Sequence, residues 1–292
     1  MKEKTYYKLY LMQQKNKKVK NNERRILKIF IINLIWFFKE RLLVFFFVYP
    51  VVSFLSLLNN KIRIRFFDHF NLNKKMILLK YRKIRLVLFY RDLETYKEIF
   101  ESSVYDRFDL KRDWIVIDCG ANIGLYTIKV APKVKKVISI EPNPHNFNML
   151  LLNLKINRLK NVVPLNLAVY SRKKLIKIYG EGPTSSIFKP RHSEIYEKVV
   201  AIPLDSITKE LRKIDLLKID VEGAEIEVLK GASNTLKKTR NLILEVHPFL
   251  VDDKKVWEIL EKYSFRLKKY SHPDPLISER AYIIVGRKLN NC

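Results

Sequence analysis

Three short stretches of the chain carry residues whose types and spacing suit chemistry. The first is Asp118-Cys119-Gly120-Ala121-Asn122-Ile123-Gly124, where an apolar run turns into an amphipathic one. Gly120 and Gly124 would let the backbone turn tightly and approach a ligand at the carboxyl edge of a strand, where open α/β sheets bind ligands. A nicotinamide fingerprint needs G-x-G-x-x-G; here the spacing is G-x-x-x-G with an acid in front. An acid ahead of the loop repels a pyrophosphate and suits the ammonium of an amino-acid-bearing cofactor. Glu141 ends the next apolar run, where a carboxylate can accept both hydroxyls of a ribose.

The second stretch is Asp220-Val221-Glu222-Gly223-Ala224-Glu225. Alternation along a strand would point Asp220 and Glu222 the same way at its mouth, and Gly223 would let the chain turn into a helix carrying Ile226 and Leu229. Glu225 then falls in the first helical turn, favoured there by the helix dipole, either as a cap or as a functional group. The third stretch holds Glu245 and His247, one residue apart at a strand end, and a histidine near its ordinary pKa is a natural base for a hydroxyl proton. Asp220, Glu222, Glu245 and His247 form the candidate catalytic set. They could also offer oxygen and nitrogen to a divalent ion, but no third strong ligand stands in a fixed spacing, and no metal is assigned.

The elements that must position these residues begin near Tyr81, where short apolar runs alternate with amphipathic ones, the pattern of a mostly parallel sheet covered by helices. Trp114 to Cys119, Lys136 to Glu141, Val162 to Val169, Ile214 to Asp220 and Leu242 to His247 read as buried strands. His145 to Asn157 reads as a helix with Phe147, Leu150, Leu151 and Leu154 at core spacing. Phe265 to Tyr270 and Ala281 to Arg287 read as a closing strand pair. Gly180 to Val199, with Ser185, Ser186 and His192, reads as a lid on the acceptor side.

Between Arg91 and His247 the chain resembles the FkbM-type methyltransferases, a branch of the class I S-adenosylmethionine-dependent enzymes. The resemblance is carried by VIDCGANIGLYT (Val116 to Thr127), SIEPNPHNFNMLLLN (Ser139 to Asn153), NLAVYS (Asn166 to Ser171), LLKIDVEGAEIEVLKGA (Leu216 to Ala232) and ILEVHP (Ile243 to Pro248), in that order. It implies a Rossmann-like class I sheet of seven strands with the last antiparallel, S-adenosylmethionine as cofactor, and methyl transfer to an oxygen, often on a sugar or polyketide-like acceptor. It also implies that Asp118, Gly120, Asn122 and Gly124 form the cofactor loop, that Glu141 holds the ribose, and that Asn143 and Ala168 lie near the adenine.

The 292 residues carry a formal net charge of +27, which implies attraction to an anionic partner. Residues 1–25 are Lys- and Asn-rich and read as a mobile basic tail. Apolar runs over Ile26 to Phe38 and Leu42 to Leu58 follow, split by Lys39, Glu40 and Arg41. A helix over the second run would reach roughly 25 Å, short of a bilayer core of about 30 Å, and Pro50 would kink it. Basic residues flank the pair on both sides, favouring a hairpin or in-plane helices at the cytoplasmic face of a membrane, although runs of this length also occur as ordinary packed helices. Two cysteines, Cys119 and Cys292, form neither a disulfide framework nor a zinc set.

The expected organisation is a tail over 1–25, apolar membrane-associated helices over 26–60, a basic connector over 61–80 and a methyltransferase domain over 81–292. The expected function is O-methylation of a hydroxyl on a glycan or lipid-linked sugar. An RNA or DNA methyltransferase is disfavoured because no N-P-P-Y or D-P-P-Y tetrapeptide follows Asp220, so nucleic acid is not the expected partner. A non-catalytic membrane-tethered module is disfavoured by the intact acid and glycine pattern.

Overall fold

The computed structural model describes residues 76–180, 186–187, 196–272 and 275–288. The tail, the apolar runs, most of the connector, His192 and Cys292 lie outside the described residues. Among those described, no helix is long and apolar enough to cross a membrane.

The described chain opens on an antiparallel hairpin, β1 (Met76–Tyr81) and β2 (Ile84–Phe89), followed by a short helix α1 (Leu93–Tyr96). Strand and helix then alternate through β3 (Ile115–Cys119), α2 (Leu125–Val130), β4 (Lys136–Ile140), α3 (Pro144–Ile156) and β5 (Val162–Leu165). Three strands, β6 (Ala168–Val169), β7 (Lys174–Tyr179) and β8 (Tyr196–Ile202), form a separate small sheet in the order β6-β8-β7. The alternation resumes with α4 (Leu204–Thr208), β9 (Ile214–Ile219), α5 (Glu225–Lys230), α6 (Ser233–Lys237) and β10 (Thr239–Val246). Last come α7 (Asp253–Glu261), β11 (Phe265–Ser271), α8 (Pro275–Ser278) and β12 (Tyr282–Lys288).

The large sheet has seven strands in the order β11-β12-β10-β9-β3-β4-β5. Strands β10, β9, β3, β4 and β5 are parallel, and β12, the last in the chain, runs antiparallel to both of its neighbours. Every residue of β9 is buried, as in a strand covered on both faces; four of the six are apolar, and the two charged ones, Asp215 and Lys218, are ion-paired. From β3 the chain proceeds to β4 and β5 on one side and later returns to β9 on the other. This reversal leaves a crevice beyond the carboxyl ends of β3 and β9, where such sheets bind ligands. Both acid-and-glycine stretches lie there.

The run Val162 to Val169 is not one strand. It divides into β5 on the large sheet and β6 on the small one, because Asn166 Nδ2 donates to the carbonyls of Glu141 (2.9 Å) and Pro142 (3.0 Å) and draws the chain out of line. Asn143 caps α3, accepting from the amides of His145 and Asn146, with Pro144 at the first helical position.

Helix α3 also secures the hairpin through two amides one turn apart. Asn153 Oδ1 accepts from the Val87 amide (2.7 Å) and its Nδ2 donates to the Val87 carbonyl (2.9 Å). Asn157 does the same for Arg85, at 2.9 and 2.6 Å. Four helical residues advance about 6 Å and two strand residues about 6.6 Å, so the side-chain amides match alternate residues of β2. Asn153 is fully buried, and Asn153→Ala would orphan the Val87 amide and carbonyl in the interior. It should lower the unfolding free energy by about 2–4 kcal/mol in urea titration, with a clearly smaller loss for Asn157→Ala at the exposed end.

Candidate active site

The loop after β3 is shaped by what it packs against. Gly120 has φ +78°, and a Cβ there would stand 1.6 Å from the Asp220 carbonyl oxygen, so the chain leaving β3 touches the chain leaving β9. Gly124, at φ +87°, starts α2, where a Cβ would reach within 2.4 Å of Leu150 Cδ1. The amides of Gly120 and Ala121 both donate to the Ile140 carbonyl, and the Asp220 amide donates to the Cys119 carbonyl, each at 3.0 Å. These bonds fix the loop between the ends of β4 and β9.

An open cleft, continuous with solvent, lies over this loop. Gly120, Asn122, Glu141, Ala168, Asp220 and Glu222 are among its walls. Glu141 is buried; its Oε2 accepts from the Asn122 amide (2.8 Å) and its Oε1 from the Asn143 amide (2.9 Å). Oε2 keeps a lone pair for a ribose hydroxyl, and at Oε1 the second donor is the long contact from Asn146 Nδ2 (3.5 Å), which a second hydroxyl would replace. Burial raises this carboxyl to about 7, against the lowering by the two amides. Asn122, at φ +50°, leaves its buried Oδ1 without a partner among the described residues, an acceptor available to a donor group in the cleft. Glycine cradle, ribose-competent carboxylate and orphaned acceptor together fit a nucleoside cofactor with an amino-acid arm.

Asp118, Gly124 and Asn143 do not line this cleft. Asp118 is fully buried and stands in register with Lys218 of the neighbouring strand β9. Its Oδ1 lies 3.2 Å from Lys218 Nζ, and its Oδ2 accepts from Thr127 Oγ1 at 2.7 Å. The acid expected to meet an ammonium is therefore the counter-ion of an internal lysine. Gly124 serves the start of α2. Asn143 caps α3 and donates through Nδ2 to the Gly180 carbonyl (2.9 Å).

The acids of the second and third stretches do come together. Beyond β9, Glu222 takes a left-handed φ of +48° before Gly223 at +97°, and Ser186 Oγ donates to the Glu222 carbonyl (2.7 Å). It is this turn, rather than strand alternation, that sets Glu222 beside Asp220. His247 Nδ1 meets Glu225 Oε1 at 2.7 Å, and its Nε2 lies 3.5 Å from Glu222 and 3.9 Å from Glu245. Glu225 also accepts from the Gly223 amide (3.1 Å), so it both caps the turn and orients the histidine.

Burial alone would lower His247, but the hydrogen bond its Nδ1–H donates to Glu225 and the charges of Glu222, Glu245 and Asp220 outweigh it and raise the imidazole to about 10. At neutral pH the histidine is thus charged, which differs from the free base the sequence suggested. Burial lifts Glu222 to about 8, with His247 lowering it and the neighbouring acids adding to the rise. Glu245 is raised to about 7 by burial and then by Asp220.

Two residues of this site are absent from the sequence-derived set. Lys218 ties Asp118, Asp220 (3.4 Å) and the Gly120 carbonyl (3.0 Å) together. Burial opposes its charge, while Asp118 and Asp220 hold its pKa above the ordinary lysine value. Its signal in the sequence is a lone cation inside the apolar run LLKID. Tyr105 donates its hydroxyl toward Asp220 (3.1 Å) and Glu245. A phenol has one proton, so it donates to one carboxyl and accepts from the protonated form of the other.

Comparison with known proteins decides the family. The family model of the methyltransferase FkbM domain matches residues 118–267, from the acid of the glycine loop into β11. The chain belongs to the FkbM methyltransferase family. Methyltransferase sdnD of Sordaria araneosa is 30% identical over 51% of this chain and 73% of that one. Hexuronic acid methyltransferase AglP of Haloferax volcanii is 28% identical over 63% of this chain and 74% of that one. Among solved structures, an FkbM methyltransferase from Methylobacillus flagellatus aligns with TM-score 0.45 at 19% identity, over 62% of this chain and 45% of that chain. The protein is thus a methyltransferase with S-adenosylmethionine as methyl donor, and the residues lining the cleft fit that donor.

The FkbM cleft carries a pH dependence with a defined sign. Glu141 titrates near 7 when the cleft is free, above its ordinary 4.5. Below 7 it holds a proton and cannot accept two ribose hydroxyls as a carboxylate. Affinity for S-adenosylhomocysteine, followed by calorimetry, should therefore rise by up to about tenfold per pH unit from pH 5 to 7 and level off above 8. Glu141→Gln should bind more weakly and lose most of that slope.

Proposed function

We propose that the protein methylates a hydroxyl of a glycan or lipid-linked sugar, working at the cytoplasmic face of a membrane. The observation that carries the acceptor reading is that Asp220 and Glu222 belong to the wall of the donor cleft and, in the same cluster, contact Lys218, Tyr105 and His247. Methyl transfer from a sulfonium is an in-line displacement, helped chiefly by holding the acceptor oxygen in line with the donor methyl. Asp220 and Glu222 are placed to accept the hydrogen bond of a hydroxyl. Glu245, raised to about 7 chiefly by burial, is suited to take up the proton as the ether forms, and the imidazole of His247 lies 3.9 Å from it. A sugar acceptor is supported by the likeness to the hexuronic acid methyltransferase. Membrane placement rests on the apolar runs 26–58 and their basic flanks.

Membranes holding the full-length protein, washed in 1 M salt and supplied with S-adenosylmethionine bearing a labelled methyl group, test both parts. The protein should stay in the membrane pellet, because its apolar contacts outlast screening with a Debye length of about 3 Å. Label should appear in the glycan or glycolipid fraction and survive alkali, as an ether does. Alkali-labile label would place the methyl on a carboxylate instead. Label in RNA would refute the sugar reading, and release by salt alone would refute insertion.

A further inference from the structure

We propose that Asp220, Glu222 and His247 bind a divalent metal ion at the acceptor end of the cleft, which holds the acceptor through its oxygen. The proposal rests on the reading of this cleft as a methyl-transfer site and adds an ion to it. The sequence offered these residues without a fixed spacing; the fold supplies the missing proximity. One ligand atom from each of the three lies within 4.8 Å of the others, across the turn after β9 and the end of β10. The 3.5 Å between His247 Nε2 and Glu222 Oε2 is close to the edge of a coordination shell with bonds of about 2.1 Å.

Two further features fit an ion. The Nδ1 of His247 is held by Glu225 at 2.7 Å, leaving Nε2 toward the acids; metal-bound histidines are usually fixed in this way by a carboxylate on the second nitrogen. The charge of an ion also suits the site: binding at Nε2 displaces the imidazolium proton of His247, so the ion takes over the positive charge that faces Glu222 (3.5 Å) and Glu245 (3.9 Å). Glu225, fully buried, leaves Oε2 without a hydrogen-bond partner among the described residues. With Asp220 and Glu222 partly exposed to the cleft, the ion would keep open positions there for a hydroxyl and a neighbouring oxygen of the acceptor. The implied acceptor class is one that chelates, such as a vicinal diol or a hydroxy acid. Mixed oxygen and nitrogen ligands without thiolate suit Mn²⁺ and Zn²⁺.

The test uses the full-length protein, freed of metal by chelator, titrated with Mn²⁺ while free ion is read by electron paramagnetic resonance. Zn²⁺ serves as competitor, and S-adenosylhomocysteine calorimetry is run on the same sample. One Mn²⁺ per chain should bind, be displaced by Zn²⁺, and show nitrogen hyperfine coupling from an imidazole. Glu222→Gln and His247→Gln should each weaken it by about tenfold or more. The nitrogen coupling is read on unaltered protein, so variants that fail to fold do not decide the outcome. Protein that binds S-adenosylhomocysteine but neither ion in one-to-one amount overturns the metal site and leaves the methyl-transfer reading intact. Bound Mn²⁺ without nitrogen coupling, or unaffected by either substitution, overturns the ligand assignment. Failure to bind S-adenosylhomocysteine with Mn²⁺ still bound would count against the cleft reading instead.

Discussion

The contact between the ends of β3 and β9 is the constraint on which the site depends. At Gly120 the two chains meet so closely that no side chain fits between them, and directly beneath, Lys218 of β9 faces Asp118 of β3. A buried ion pair of this kind need not stabilise a fold relative to an apolar one, but removing one member leaves a charge stranded and costs about 3–5 kcal/mol. Here the pair does positional work. Lys218 also holds the Gly120 carbonyl and the Asp220 carboxylate, so the cofactor loop and the first acid of the acceptor cluster hang on one ammonium.

From that junction two chemistries diverge along neighbouring strand ends. On the β4 side, Glu141 is surrounded by amide donors and is ready to accept ribose hydroxyls. On the β10 side, burial first and neighbouring acids second lift Glu222 and Glu245 toward neutrality, while the surrounding carboxylates, Glu225 foremost, hold a proton on His247 against its burial. The positive end of a sulfonium donor would face this acidic side. Product formation discharges the sulfonium and releases one proton from the acceptor hydroxyl, and a cluster that titrates near neutrality can receive it.

Much of this arrangement was legible in the sequence because strand ends are marked by local pattern. The apolar runs ending at Cys119, Glu141, Asp220 and His247 fixed four parallel strands, and the glycine loop with Glu141 located the cofactor side. What failed to show was whatever depends on register between strands. Asp118 reads as facing a ligand when only its own strand is considered, yet its partner is Lys218, a hundred residues away. Tyr105 lies in an irregular segment before β3, and nothing in its spacing announces that it reaches Glu245. The break at Asn166 was hidden for a similar reason: an unbroken apolar run reads as a single strand, and the side-chain amide that redirects it bonds to the carbonyls of Glu141 and Pro142. Glu222 illustrates the converse, since the sequence placed it beside Asp220 by alternation and the fold reaches the same result through a left-handed turn.

A crystal structure of the protein with S-adenosylhomocysteine bears most directly on the central claim that the β3–β9 crevice places the methyl donor against the acid cluster. The account predicts the ribose hydroxyls on Glu141, the amino-acid arm over Gly120 and Asn122, and the sulfur pointing toward Asp220 and Glu222. A ligand bound with its ribose away from Glu141, or with its sulfur turned from those acids, would contradict it.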